Sequence, residues 1–182
     1  MLTPRLTDGL VELRPPRVDD VDEFYDAARE SIADVTPWMG WLHPAYERIE
    51  TAEWVRSALR AWDEDLEYPF VYREVATGRV LGSCEINSLD RENRWANLGY
   101  WLRTSATGRG FATAAARLAA SFGFAELGLD RVEILAATGN VSSRAVADRL
   151  GAVREGVLRR RLRVHDVSHD AVVYSLVRED WR

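Results

Sequence analysis

The chain has 182 residues, 47% of them hydrophobic and 29% charged, a balance that excludes both a disordered polymer and a membrane-embedded bundle. Its length suits one domain spanning residues 1–182, with a single core that removes roughly 70% of the unfolded surface from water. With 24 basic and 29 acidic residues the net charge is −5, which disfavours nucleic acid as a partner.

All 24 basic residues are arginine, so lysine-based covalent catalysis is excluded: a guanidinium offers no neutral amine. No apolar run reaches membrane-spanning length, and the first ten residues carry Arg5 and Asp8 where a signal peptide has an apolar core. The protein is therefore expected in the cytoplasm. The single Cys84 closes no intramolecular disulfide, has no Cys or His cluster beside it, and reads as a small buried strand residue.

No repeat, low-complexity tract or linker divides the chain. Leu10 to Arg14 alternates as a first strand, ended by Pro15 and Pro16. Asp19 then caps a helix carrying Val21, Phe24, Ala28 and Ile32 at helical spacing. An aromatic loop, Pro37 to Pro44, leads to a second helix capped by Thr51, with Val55, Trp62 and Leu66 along one side. Three strands follow, Phe70 to Val75, Val80 to Asn87 and Trp95 to Leu102, with turns between them. An Ala-rich helix runs from Gly110 to about Glu126. Val132 to Ala136 is a strand, Ser142 to Leu150 a short helix closed by Gly151, and Val157 to Val164 and Ala171 to Val177 are terminal strands. This order indicates an α+β fold: a mixed, mostly antiparallel sheet flanked by about four helices.

The most informative stretch is Thr107-Gly108-Arg109-Gly110-Phe111-Ala112-Thr113, between a strand and a helix start. Its glycines let a ligand approach the backbone closely, and the free N–H groups of a first helical turn favour an anion, phosphate above all. It has neither the Lys-Ser/Thr ending of a Walker loop nor the three-glycine spacing of a dinucleotide fold.

Together with Gly99-Tyr100-Trp101-Leu102, Phe122-Gly123-Phe124, Leu127 to Val132, Asn140 with Ser143, Gly151, the Trp38 to Trp41 loop and the run Asp170 to Leu176, this turn resembles the Gcn5-related N-acetyltransferase (GNAT) superfamily. Within it the chain resembles the RimJ/RimL-type acetyltransferases of ribosomal-protein N-termini. The resemblance implies a sheet splayed beyond Leu102 and Arg103, and acetyl-CoA with its pyrophosphate on the amides of Gly108, Arg109, Gly110, Phe111, Ala112 and Thr113. It also implies a pantetheine arm against the splayed strand and Asn140. Thr107 replaces the family's Gln or Arg, and Ala152 the Phe that often follows the glycine, but neither change removes a backbone N–H.

Acetyl transfer to an amine needs a base for the ammonium, stabilisation of the carbonyl oxygen and a proton for the leaving thiolate. Many relatives place a glutamate two residues before the Gly-Tyr-Trp run; here that position is Asn97, which accepts no proton at neutral pH. If the hairpin around Arg91 pairs residues whose numbers sum to 182, Glu85 faces Asn97, and Glu85 then supplies the carboxylate while Asn97 orients water or amine. The alternative is a solvated glutamate with no proton role. The last-helix tyrosine of many family members corresponds to Ala147, so the expected proton donor is Ser143, which could otherwise be an ordinary first-turn serine. The resemblance also assigns carbonyl polarisation to the backbone near Leu102.

Other features stay open at this level. The Trp38 to Trp41 loop either walls the acceptor site or packs on the first helices. Five arginines between Arg154 and Arg163 either bind phosphates or an acidic partner, or form a solvated strand face. His165, Asp166, His169 and Asp170 lie in a hairpin turn where alternate residues diverge, so no metal is expected. The expected acceptor is a protein N-terminal α-amine; the alternatives are a small amine (polyamine, amino acid or aminoglycoside) and a non-catalytic acyl-CoA-binding module. A polycationic acceptor needs an acidic cleft, drawn from Asp34, Glu47, Glu53, Asp63, Glu64, Asp65 and Glu67. The apolar terminal strand Ala171 to Val177 is read as favouring a homodimer.

Overall fold

The computed structural model describes residues 4–181. A short hairpin, β1 (Leu6–Thr7) and β2 (Val11–Arg14), is followed by α1 (Val21–Glu30), the single turn α2 (Ile32–Val35) and α3 (Arg48–Asp63). The centre of the chain is a meander of β3 (Tyr68–Glu74), β4 (Val80–Asp90) and β5 (Trp95–Leu102). Then come α4 (Phe111–Ala125), β6 (Arg131–Ala137), α5 (Val141–Leu150) and the long hairpin β7 (Val153–Val164) and β8 (Val167–Val177). The eight strands form one sheet in the order β1-β2-β3-β4-β5-β6-β8-β7. Only β5 and β6 pair in parallel, and only over Trp95 to Asn97 against Arg131 to Glu133. Beyond Asn97 the two strands part, which opens the sheet at its middle.

Both faces are covered, as the strand alternation requires. On one face Tyr72, Cys84, Ile86 and Leu98 pack against Phe111, Ala115, Ala119 and Phe122 of α4. The small alanines let that helix lie close to the sheet. On the other, Val71, Val80 and Trp101 meet Phe24, Ala27 and Ala28 of α1 and Leu42 and Tyr46 of the aromatic loop. Trp62 on α3 fits edge-on between Tyr68 and Phe70.

Several local expectations are corrected by side-chain chemistry. Asp20 and not Asp19 stands at the start of the first helix, and its buried carboxylate, which bonds no amide of that helix, accepts the Arg17 N–H at 2.8 Å and both forks of Arg14 at 2.6 and 2.7 Å. The second helix begins at Arg48, because Glu47 and Glu50 form a reciprocal capping box. Thr51 is instead buried inside its first turn, bonded to the Tyr46 hydroxyl. That helix ends at Asp63, leaving Leu66 exposed. The apolar run Ala171 to Leu176 is buried within the chain, because β8 is an interior strand between β6 and β7. Its hydrophobicity therefore gives no reason to invoke a second copy.

Candidate active site

Two cavities meet where the sheet opens. The first, about 650 Å³, is lined by Thr107 to Thr113, Leu102, Tyr100, Asn140, Val141 and Ser143, with Trp38 and Met39 across from them. Gly108 and Gly110 adopt left-handed φ of +78° and +83°, conformations that fold the turn so that its amides face the cavity at the start of α4. Among the described residues the N–H groups of Gly108 to Thr113 donate to no protein acceptor. Six free donors at the positive end of a helix form an anion cradle. Arg109 is held beside it, bonded to Glu74 at 2.6 Å and stacked over the Phe111 ring at 4.5 Å.

The strand side of this cavity follows from ladder geometry. The Arg103 N–H donates to the Leu81 carbonyl at 2.7 Å, so the N–H groups of Tyr100 and Leu102 point the opposite way, into the gap left by β6. Arg103 itself is not part of the cavity wall. Its guanidinium turns to Glu30 at 2.6 Å and the Val80 carbonyl at 2.9 Å, so this sequence candidate serves the packing of α1 against the sheet.

The second cavity, about 730 Å³, lies beneath the aromatic loop and α3. Its wall carries Glu50, Glu53, Glu67 and Glu85 and not one arginine. Asp34, another acidic candidate, lines the first cavity and is bonded to the Thr104 hydroxyl. Trp41 rests on Trp101 at 5.4 Å and on Tyr46 at 5.6 Å, while Trp38 lies 6.2 Å from His169. The Trp38 to Trp41 loop thus both packs on the core and walls the cavity.

The β4–β5 register differs from the expected one by two residues. Glu85 faces Gly99, Ile86 faces Leu98 and Asn87 faces Asn97, so the numbers sum to 184. Asp90 pairs with Trp95, its carboxylate accepting the Asn93 N–H at 2.8 Å, and a bulge that includes Ser88 at φ +53° shifts the ladder by one. A two-residue change keeps every side chain on its face. Glu85 and Asn97 therefore still share the cavity face, but Asn87 stands between them. Asn97 Nδ2 donates to Asn87 Oδ1 at 2.9 Å, and Asn87 Nδ2 to Glu85 Oε1 at 2.6 Å. Asn97 Oδ1 is buried without a partner among the described residues. Burial, with the charge of Glu67 behind it, pushes the Glu85 carboxyl above the usual carboxylate range against the opposing Asn87 hydrogen bond.

At the junction, Asn140 caps α5 by accepting the Ser143 N–H at 3.0 Å. The Tyr100 hydroxyl donates to the Ser143 carbonyl at 2.9 Å and lies 3.2 Å from Ser143 Oγ. Burial pushes its pKa up to about 12. Tyr100, Trp101, Asn140 and Ser143 line both cavities. Cys84 also borders the second cavity, but burial raises its thiol and keeps it neutral. No group of three or more His, Cys, Asp or Glu side chains among the described residues is placed to hold a metal. His165 and Asp166 occupy a tight turn with both φ positive, while Asp170 is spent on the Arg160 N–H.

The model of the acetyltransferase (GNAT) domain matches residues 11–153. This chain belongs to the GNAT acetyltransferase family. The Bacillus subtilis protein named "Putative ribosomal N-acetyltransferase YdaF" is 43% identical over 104 residues, 57% of each chain. The chain spans 57–59% of the length of this and two further curated Bacillus N-acetyltransferases. A solved structure described as a probable acetyltransferase superposes with a TM-score of 0.89 at 28% identity, covering 100% of this chain and 99% of that one. RimJ of Mycobacterium smegmatis, solved with a CoA-disulfide, gives 0.84 at 25% identity over 97% and 87%.

Within this GNAT domain, sequence reasoning missed Asn87 and Tyr100. Asn87 carries a signal after the fact, an amide two residues from Glu85 on the same strand face. Tyr100 stood in the Gly-Tyr-Trp run, while the hydroxyl was sought on the last helix.

Proposed function

We propose that this chain transfers an acetyl group from acetyl-CoA to a primary amine, and that the acceptor is a protein N-terminal α-amine. The observation that carries the reading is the junction: an amide-lined anion cradle and a carboxylate-lined cavity meet at Tyr100, Asn140 and Ser143. The ribosomal-protein acceptor class is supported by the names of the relatives.

The residues present fit acetyl-CoA, which supplies an activated thioester when bound. Gly108 to Thr113 offer their free N–H groups to its pyrophosphate, Tyr100 and Leu102 their backbone edge to its arm, and Asn140 its remaining amide hydrogens. By the family resemblance, the Leu102 N–H would polarise the acetyl carbonyl. An acceptor arriving as an ammonium meets the second oxygen of Glu85, which takes no protein donor among the described residues. Glu85, with its raised proton affinity, takes the ammonium proton directly or through water. Tyr100 and Ser143 hold a hydroxyl proton at the junction for the departing sulfur, and Tyr100 stays protonated throughout the physiological range.

A small cationic amine is the second reading, favoured by the convergence of four glutamates on one cavity. The experiment is CoA release from acetyl-CoA with peptides beginning Ser, Ala or Met beside a panel of polyamines and aminoglycosides, mass spectrometry locating the acetyl group. Acetylation at peptide α-amines is the expected result. Turnover of the small amines alone would move the assignment to them, and tight acetyl-CoA binding without turnover would make the domain a binding module.

A further inference from the structure

The strand β5 is paired on both sides only as far as Asn97. There it meets Asn87 of β4 and, in its last parallel pairing, Glu133 of β6. Glu85 faces Gly99, two residues past the parting, where β5 has β4 alone beside it. A Cβ built on Gly99 would stand 3.7 Å from Glu85 Oε1 and 3.8 Å from Asn87 Nδ2, so the bonded carboxylate and amide lie together over bare backbone. The two asparagine side chains thus tie the carboxylate at the open part of the sheet back to its doubly paired part.

The direction of this chain of hydrogen bonds is set by its end. An ionised carboxylate only accepts, so Asn87 must turn Nδ2 to Glu85 and Oδ1 to Asn97. Asn97 answers with Nδ2, because oxygen against oxygen would repel. Asn87 is the one side-chain donor on the Glu85 carboxylate among the described residues, and it engages Oε1 alone. The ionisable groups around Glu85 give its charged form no help. Glu50 and Glu53 of α3 and Glu67 before β3 are carboxyls, Tyr46, Cys84 and Tyr100 hold their protons through burial, and no arginine lines this cavity. Pro69 faces Glu85 from β3 and brings no charge, while on β6 Arg131 is bonded to Glu133 and Glu155.

Resting on the reading of Glu85 as the base, we infer that Asn87 is a positioning residue for the transfer: its amide holds one carboxylate oxygen, leaves the other for the proton of the acceptor, and favours the charged form. Asn97 acts one step further back, by holding Asn87 in the donating orientation. A hydrogen bond to a charged acceptor is stronger than one to its neutral form. Loss of the amide therefore makes Glu85 keep its proton to higher pH, and the acidic limb of the pH–rate profile moves up.

The test compares Asn87→Ala with Asn87→Asp, which keeps the shape and removes the donor. NMR titration of the Glu85 carboxyl carbon in protein carrying isotope-labelled glutamate, identified by its loss in Glu85→Gln, needs no turnover. CoA release with a peptide beginning Ser supplies the pH profile, and acetyl-CoA affinity reports the integrity of each variant. Asn87→Ala should raise the Glu85 midpoint by about one pH unit. It should also lower kcat/KM about tenfold at neutral pH, with part of the loss recovered under alkaline conditions. Asn87→Asp should raise the midpoint further and cost more activity, since it sets a like charge where the donor stood. In a Glu85→Gln background Asn87→Ala should cost nothing more. An unmoved Glu85 midpoint in both variants, or an Asp variant as active as wild type, would overturn the positioning role. Loss of turnover in Glu85→Gln alongside either result would leave the base reading standing. A raised midpoint together with full turnover in Glu85→Gln would support the hold of the amide on the carboxylate while sinking the base reading.

Discussion

Glu85 and Tyr100 both hold protons more tightly than they would in water, because each is largely removed from solvent. For Glu85 the sign is definite: as a base it works only when ionised, so turnover should rise through a pKa above the ordinary glutamate value. Glu85→Gln should lower kcat by about 100-fold and flatten the acidic limb of the pH–rate profile. Nearly full turnover in that variant from about pH 6 to 9 would dismiss the base role. Tyr100→Phe and Ser143→Ala should each cost about tenfold in kcat with the KM for acetyl-CoA unchanged. Because the two hydroxyls are bonded to each other, the double variant should cost little more than either single one. Full additivity would show that they act separately. Both residues lie in the motifs quoted from the sequence, yet only their distance in space shows that they form a pair.

At the scale of elements, the β4 entry to the site depends on Gly82. A Cβ there would stand 2.2 Å from the Trp101 carbonyl oxygen, which already accepts the buried Tyr72 hydroxyl at 2.6 Å. Gly82→Ala should therefore lower stability by about 1–3 kcal/mol, read as a drop in the urea midpoint. An unchanged midpoint would mean that the strands part there freely. The docking of α1 depends on Glu30, whose carboxyl is held down to about 2 by the Arg103 guanidinium and the Ser105 N–H. A folded-state pKa below the unfolded one adds stability that is present above the ordinary glutamate value and disappears as pH falls toward 2. Glu30→Gln should accordingly be less stable at neutral pH and show a shallower loss of urea midpoint on acidification. The wild-type slope in the variant would locate the acid sensitivity elsewhere, Glu155 beside Arg131 being the next such carboxyl. Element types were legible from periodicity because apolar spacing is local. Starts and ends were less so, since the helix start at Asp20 is fixed by its bonds to Arg14 and Arg17 and that at Glu47 by its pairing with Glu50, partners that spacing alone does not rank.

Across the whole molecule, the candidate site rests on one discontinuity, the parting of β5 from β6 after Asn97. It leaves an anion cradle on one side and a carboxylate-lined cavity on the other, joined through six shared residues. No helix among the described residues is long and apolar enough to cross a membrane. By itself the sequence determined the amide turn, the order of elements, the family likeness and the face on which Glu85 and Asn97 lie. These follow from local chemistry: glycine's access to positive φ, free N–H groups at a helix start and two-residue alternation along a strand. Only the tertiary structure decided the register that inserts Asn87 between Glu85 and Asn97, the diversion of Arg103 to Glu30, and the convergence of Glu53, Glu67 and Glu85. Each depends on turn geometry, bulges and packing between segments far apart in the chain, where one surplus residue shifts a register and alternation alone cannot say where it sits.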